Sequence, residues 1–167
     1  MLIAGIDEAG RGPLAGPIVA AAVILPEEFY LPGLNDSKLL SSKKREELFI
    51  AIKKQALAIG VGKGGSREID RINIGRANVL VMEKALAALN IKPDYLLIDG
   101  RIKLKNTFIP QKAIVRGDQK YACIAAASII AKVTRDHLML RYHQQYPVYA
   151  FNLHKGYGTK EHFRLLE

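Results

Sequence analysis

The pattern of apolar and polar positions predicts five short buried strands. Apolar stretches bounded by Gly, Pro or charged residues indicate such strands, and they lie at residues 3–6, 17–25, 57–61, 95–98 and 107–115. Pro110 places the last strand at a sheet edge or interrupts it. Residues 62–66, Gly-Lys-Gly-Gly-Ser, are interpreted as a strand exit and turn, because their spacing is not that of a phosphate-binding loop.

Segments whose apolar residues recur at helical intervals separate these strands. A helix is predicted to start near Ser41 or Ser42, since serine is a good N-cap, and its apolar residues recur on one face. Further helices are predicted at residues 68–72, 74–89, from 116–118 to Pro147, and from 159 onward. This order of elements predicts an α/β layered domain with a mixed sheet.

Carboxylates lie where predicted strands end or a predicted helix begins. Asp7 and Glu8 follow the first strand, Asp99 ends the fourth, and Asp118 opens the long helix. Because side chains alternate along a strand, Asp7 and Glu8 share one site only if the strand ends or twists between them. If the first and fourth strands are neighbours, Asp7 and Asp99 come together. For Asp118 alone, a helix cap or a solvated charge is an equal alternative.

Crowded carboxylates of this kind predict a divalent cation. Like charges repel, so some of these groups would stay protonated without an ion. Oxygen-only ligands suit Mg²⁺ or Mn²⁺, and two such ions about 4 Å apart can clamp a scissile phosphate. No side-chain nucleophile is evident, since the chain lacks a G-x-S-x-G motif and its one cysteine, Cys123, is expected in the core.

The loop Gly10-Arg11-Gly12 follows the acidic pair. It is either a tight turn with a solvated arginine or a place where main-chain amides reach a sugar or phosphate, because glycine lacks a side chain. The spacing G-x-G-x-x-x-G, followed by Pro13 and a strand, does not fit a dinucleotide-binding fingerprint.

The charge of the chain favours a polyanionic partner. The net charge is +9 and the pI is about 9.7, which suits nucleic acid, although a merely basic surface is the alternative. Tyr157, between two glycines, is either a surface residue or a ring that stacks on a nucleotide. Lys38 beside Ser37 is either solvated or a phosphate contact.

Chain length and cysteine content limit the classes of protein that remain possible. A chain of 167 residues suits one domain with a sizeable core. One cysteine excludes an intramolecular disulfide and a multi-cysteine zinc site. The apolar stretches are too short to span a bilayer, and Met1 leads almost directly into the first strand. We therefore expect a cytoplasmic enzyme or binding protein.

Six short motifs are distributed over almost the whole chain. They lie at residues 5–13 (GIDEAGRGP), 35–38 (NDSK), 97–100 (LIDG), 117–120 (GDQK), 125–136 (AAASIIAKVTRD) and 154–158 (HKGYG). These motifs, in this order, resemble those of the bacterial type 2 ribonucleases H, the ribonuclease HII family. The resemblance implies one ribonuclease H-like catalytic domain over residues 1–167, with a central five-stranded mixed sheet flanked by helices.

The resemblance also implies an activity. A ribonuclease HII cleaves the RNA strand of RNA–DNA hybrids and nicks 5′ of single ribonucleotides in duplex DNA, leaving 3′-hydroxyl and 5′-phosphate ends, which suits ribonucleotide excision repair and DNA replication. It uses Mg²⁺ or Mn²⁺, two ions with substrate bound, and a monomer is expected.

The same resemblance assigns roles to individual residues. The catalytic and metal-binding acids would be Asp7, Glu8, Asp99 and Asp118. The residues that sense the ribonucleotide 2′-hydroxyl would be Gly10, Arg11 and Gly12, with Tyr157 stacking near the junction. Ser37 and Lys38 would hold backbone phosphate.

The chain departs from the family in one respect. Members usually continue into a further C-terminal helical segment that contributes to substrate binding, whereas this sequence ends at Glu167. A non-catalytic hybrid-binding module is therefore the alternative to a nuclease. A nucleotide-cofactor enzyme is a third hypothesis, which the missing fingerprint disfavours.

Overall fold

The computed structural model describes residues 1–34 and 39–167, and its strands form one mixed sheet. The strands are β1 (Ile3–Ala9), β2 (Ile18–Ile24), β3 (Ala58–Gly64), β4 (Tyr95–Asp99) and β5 (Gln111–Ile114). Their order in the sheet is β3-β2-β1-β4-β5. The β1–β2 and β2–β3 pairs are antiparallel, whereas β1–β4 and β4–β5 are parallel. The predicted five-stranded mixed sheet is therefore confirmed, with β5 at an edge as Pro110 suggested.

Helices cover both faces of this sheet. They are α1 (Ser42–Gln55), α2 (Ser66–Ile72), α3 (Ile74–Ala87), α4 (Ala122–Gln145), α5 (Phe151–His154) and α6 (Lys160–Leu165). Single 3₁₀ turns lie at Gly117–Gln119 and Pro147–Tyr149. Ser41 caps α1 by accepting the amide of Lys44, and Thr159 caps α6 in the same way through His162.

The hydrophobic core consists of a layer on each face of the sheet. One layer joins alternate residues of β1, β2 and β4, such as Ile6 and Ile98, to Val81 and Met82 of α3. The other joins the opposite face of β2 to α1 and to small residues of α4, such as Ala126 and Ala127. Strand periodicity of two produces this division.

At two glycines, a helix packs against the backbone of a strand and not against a side chain. A Cβ at Gly62 would lie 2.0 Å from the carbonyl oxygen of Val81, so α3 rests directly on β3. A Cβ at Gly5 would lie 2.2 Å from the carbonyl carbon of Cys123, so the first turn of α4 rests directly on β1. Gly62 and Gly64 lie within β3, and the prediction of a strand exit after Val61 was wrong.

The long helix begins later than predicted. Arg116 has φ +54°, a left-handed conformation, so it is not itself part of a right-handed helix. One 3₁₀ turn follows at 117–119, Tyr121 is extended with φ −133°, and α4 begins only at Ala122. The prediction that Arg116-Gly117-Asp118 opens this helix was therefore wrong. Among the helices built from residues 1–34 and 39–167, none is long and apolar enough to cross a membrane.

Candidate active site

The predicted catalytic acids line one cleft at the end of the parallel strand pair. β1 and β4 pair in register from Ile3 to Ile6, so their carboxyl ends lie at the same edge of the sheet. A cleft of about 960 Å³ opens there. Its lining includes all four predicted acids, namely Asp7, Glu8, Asp99 and Asp118. The spatial convergence that the sequence predicted is present.

Asp7 and Glu8 border this cleft although the strand does not end between them. β1 continues to Ala9, while its pairing with β4 stops at Ile6. The Asp7 carboxylate turns toward the main chain and accepts the amide of Glu8 at 2.7 Å. Of the two predicted alternatives, a strand end or a twist between the acids, the strand end was wrong. They border the same cleft because β1 extends beyond its pairing with β4.

Burial and mutual repulsion perturb both acids. The pKa of Asp7 is raised well above its ordinary value, first by burial and then by the charges of Glu8 and Asp99. Burial and the Asp99 charge also raise the pKa of Glu8, against the opposing charge of Arg11. The hydroxyl of Ser128, on α4, hydrogen-bonds to Asp7 and partly offsets its shift. Without a cation, the ionised form of this cluster is therefore disfavoured.

A short loop between β5 and α4 holds Asp118 close to Asp99. Asp99 accepts the amide of Gly117 at 2.7 Å, which joins the end of β4 to the 3₁₀ turn. Asp118 is the next residue of that turn and lines the cleft. Because Arg116 is left-handed, the turn can fold back toward β4 before α4 begins. Asp118 thus reaches the site from a turn rather than from a helix end.

The donor set suits a hard divalent cation. Carboxylate oxygens are the ligands that Mg²⁺ and Mn²⁺ prefer, and a cation would relieve the repulsion that raises the pKa of Asp7. Over the part of the chain that the structure describes, no three His, Cys, Asp or Glu side chains are arranged to hold a metal ion. Binding would therefore require the side chains of these acids to move closer together.

The glycine loop forms the wall of the cleft next to the acids. Gly10, Arg11 and Gly12 all line it. Gly10 has φ +103°, and a Cβ there would lie 2.4 Å from the carbonyl oxygen of Pro17 and 2.6 Å from Nε of Arg135. Only glycine fits this position, because both its conformation and its surroundings exclude a side chain. At Gly12 a Cβ would meet no atom within 4 Å, so the backbone there is open to a ligand.

A buried arginine holds the loop in place. Arg135 of α4 is fully buried, and its guanidinium donates to the carbonyl oxygens of Pro17 at 2.9 Å, Ala15 at 2.8 Å and Lys155 at 2.7 Å. Burial lowers its pKa, which the charges of Tyr157 and Asp136 partly oppose. Three carbonyls from two distant segments thus share one cation, a geometry suited to the planar guanidinium.

Tyr157 presents its ring at the mouth of the cleft. The residue is 38% exposed and lines the cleft. Nζ of Lys132 lies 5.0 Å from the ring centroid, and Cζ of Arg135 lies 5.6 Å from it. Lys132 is itself paired with Asp136 at 3.0 Å. Two cations therefore support the ring from the protein side while part of it remains available to a ligand.

Some site residues lay outside the sequence predictions. Ser128, Arg116 and Gln119 line the cleft, and none was predicted as a site residue. Ser128 lies within the segment AAASIIAKVTRD at residues 125–136, whose resemblance to the family could have identified it. The predicted phosphate contacts Ser37 and Lys38 lie outside the described residues.

Comparisons with known proteins show which family this chain belongs to. The family model described as Ribonuclease HII matches residues 4–166. A curated ribonuclease HII from a strain of Bacillus cereus is 58% identical over 165 residues, which cover 99% of this chain and 63% of that protein. One from Endomicrobium trichonymphae is 57% identical over 99% of this chain and 79% of that protein. The chain thus spans less than two thirds of the length of the Bacillus relative.

A solved structure shows the same architecture. The crystal structure of the ribonuclease H2 from Pyrococcus horikoshii OT3 superposes with a TM-score of 0.84 at 29% identity, covering 98% of this chain and 83% of that one. The structural match and the family match thus both cover nearly all of the chain. The chain belongs to the ribonuclease HII family.

Proposed function

We propose that this chain is a metal-dependent endonuclease that cleaves RNA in RNA–DNA hybrids and nicks 5′ of single ribonucleotides in duplex DNA. The observation that carries the proposal is the convergence of four acids, from β1, β4 and the 3₁₀ turn, on one cleft beside the open backbone of Gly12. Cleavage would leave 3′-hydroxyl and 5′-phosphate ends. The net charge of +9 favours binding of such a polyanion.

The four acids would hold Mg²⁺ or Mn²⁺, two ions when substrate is bound. Such ions would supply a Lewis acid for the attacking water and for the leaving oxygen. Arg11 lowers the pKa of Glu8 and so favours its ionised, ligating form. Ser128 and the amide of Glu8 orient the Asp7 carboxylate.

Substrate selection would depend on the loop and on Tyr157. The 2′-hydroxyl is the group that distinguishes a ribonucleotide from a deoxyribonucleotide. The main chain around Gly12 is open enough to contact it, and the Tyr157 ring would stack on the neighbouring sugar or base. Ser37 and Lys38 stay predicted phosphate contacts. A cytoplasmic location and a monomeric state also stay predictions.

A nicking assay tests this proposal. The substrate is a labelled DNA duplex with one ribonucleotide, assayed beside an RNA–DNA hybrid and an all-DNA duplex, with Mg²⁺, with Mn²⁺ and with chelator. We expect cleavage of the first two substrates only, no cleavage in chelator, and loss of activity in Asp99→Asn. Asp70→Asn, in an exposed position on α2, is the matched control and should cleave normally. A folded wild-type protein that leaves both substrates intact with either metal would refute the proposal.

A non-catalytic hybrid-binding module is the second candidate. It is favoured by one observation, namely that within residues 1–34 and 39–167 no three acidic side chains are arranged around a common ion. This candidate predicts salt-sensitive binding of the hybrid without any cleavage. A gel shift at two salt concentrations, run beside the nicking assay, separates the two functions.

A further inference from the structure

Two stacked histidines flank Tyr157 along the chain, and the proposed chemistry does not use them. His154 ends α5 and His162 lies on α6. Both are buried, at 6% and 1% exposure. Their ring centroids are 4.1 Å apart with an interplanar angle of 11°, and Phe151 contacts each ring by its edge. This close packing fixes both rings in one orientation.

The hydrogen bonds of these rings define their protonation. Nε2 of His154 lies 2.6 Å from the carbonyl oxygen of Tyr149, and Nδ1 accepts the amide of Gly156 at 3.1 Å. A carbonyl only accepts and an amide only donates, so His154 is neutral with its proton on Nε2. Nδ1 of His162 lies 2.8 Å from the carbonyl oxygen of Tyr157 and must carry a proton there.

These bonds fix the main chain on both sides of Tyr157. His154 binds the amide that precedes Tyr157, and His162 binds the carbonyl of Tyr157 itself. Lys155 and Gly156 have φ of +51° and +87°, so the segment makes a tight turn. The carbonyl of Gly156 also accepts the amide of Leu14 at 2.9 Å, which joins this turn to the glycine loop.

We propose that His154 and His162 are positioning residues that hold Tyr157 at the mouth of the cleft, and that they do so only while His154 is neutral. The role given to Tyr157 rests on the proposed function. A second proton on Nδ1 of His154 would remove the acceptor of the Gly156 amide and oppose two N–H groups. The turn would then open and Tyr157 would leave its place beside Lys132 and Arg135.

On balance, the surroundings of His154 disfavour a second proton on its ring. The facing groups are His162 and Glu161 from α6, Lys155 after α5, and Tyr149 from the preceding 3₁₀ turn. From α4, Arg135 binds the carbonyl of Lys155. Burial lowers the pKa of His154 from its ordinary 6.5, and His162 and Lys155 add to this effect against the Tyr149 carbonyl and Glu161. The turn is therefore fully stable above that ordinary value and loses stability as the pH falls below it.

A tryptophan reporter tests the positioning without any substrate. The chain has no tryptophan, so Tyr157→Trp introduces a single fluorophore at the cleft. We expect its emission to shift to the red between about pH 8 and about pH 5, and to be shifted already at the higher pH when His154→Leu is added. Emission that depends on neither pH nor this second substitution would overturn the proposal. Nitrogen-15 NMR of the wild-type histidines gives a second reading, and the opposite tautomer at either ring would also overturn it.

A double-mutant cycle tests the link to substrate. His162→Phe keeps the ring stack but loses the donor to Tyr157, and we expect KM for the ribonucleotide-containing duplex to rise about tenfold with kcat nearly unchanged. His162→Asn, whose side-chain amide can donate near the Nδ1 position, should return KM most of the way to the wild-type value. In a Tyr157→Ala background, His162→Phe should have no further effect. An equal loss of kcat in both backgrounds would show a merely structural role. If the wild type cleaves nothing, the proposed function fails, while the fluorescence and NMR tests still decide the positioning.

Discussion

Replacement of Asp7 by asparagine is expected to stabilise the ion-free protein. Asp7 is 6% exposed, and burial with the charges of Glu8 and Asp99 raises its pKa well above the ordinary 3.8. The folded state therefore holds this proton more tightly than the unfolded state, so stability falls as rising pH ionises the carboxyl. Asparagine removes the charge, and its Oδ1 can still accept the Glu8 amide.

The size of the effect follows from removing one buried charge that two neighbours repel. We expect a gain on the order of 1–2 kcal/mol in the free energy of unfolding. For a chain of this size that gain corresponds to about 2–8 °C in Tm. The assay is thermal unfolding by circular dichroism in chelator at about pH 8, with Asp70→Asn as the exposed control, which should change Tm by far less.

A lower pH and added metal should each change the Tm difference between the wild type and Asp7→Asn in a known direction. As the pH falls, Asp7 in the wild type becomes neutral, so the advantage of Asp7→Asn should shrink. Saturating Mg²⁺ should stabilise the wild type through binding and the variant much less, while the variant loses cleavage. An unchanged or lower Tm for Asp7→Asn in chelator would refute the inferred repulsion.

Three further substitutions, one with a matched control, test contacts in the core and beside the cleft. Asn78 of α3 is fully buried, and within the described residues its side-chain nitrogen and oxygen have no hydrogen-bond partner. Asn78→Ala should therefore raise the free energy of unfolding, measured in urea, by about 1 kcal/mol. A clear loss of stability would instead reveal a partner for the amide. Gly62→Ala should lower the free energy of unfolding by about 3 kcal/mol or more, because the new Cβ would meet the backbone of α3. Gly65→Ala, whose Cβ would meet no atom within 4 Å, should be nearly neutral. Equal effects of the two substitutions would contradict the close approach of α3 to β3. Arg135→Lys should lower the free energy of unfolding by about 2–4 kcal/mol, since an ammonium cannot bind all three carbonyls in the same geometry. Denaturant unfolding measures this loss, and unchanged stability would contradict the bridging role of Arg135.

The sequence was sufficient to predict the convergence of the acids. Short apolar strands and their terminal carboxylates are local signals, and Asp7 and Asp99 were expected to come together if the first and fourth strands were neighbours. The observed sheet order has those strands side by side. The fold class was predictable for the same reason, because alternating strands and helices leave few ways to bury both faces of a sheet.

Backbone conformation and long-range contact were not predictable in this way. The left-handed φ of Arg116 delays α4 by several residues, and arginine gives no local sign of that conformation. The glycines of β3 suggested a turn, yet they are in the strand because α3 packs against them. The bridging role of Arg135 was not predicted, since its three carbonyl partners lie far away in sequence.

The contact between Gly5 and the start of α4 makes two segments inseparable. Gly5 touches the first turn of that helix at Cys123, and two residues further along the strand Asp7 meets Ser128. A slide or rotation of the helix would therefore displace the Asp7 carboxylate of the cleft together with its hydroxyl partner. Anyone transplanting this acidic centre into another scaffold must move the strand and the opening turns of the helix as a single rigid block.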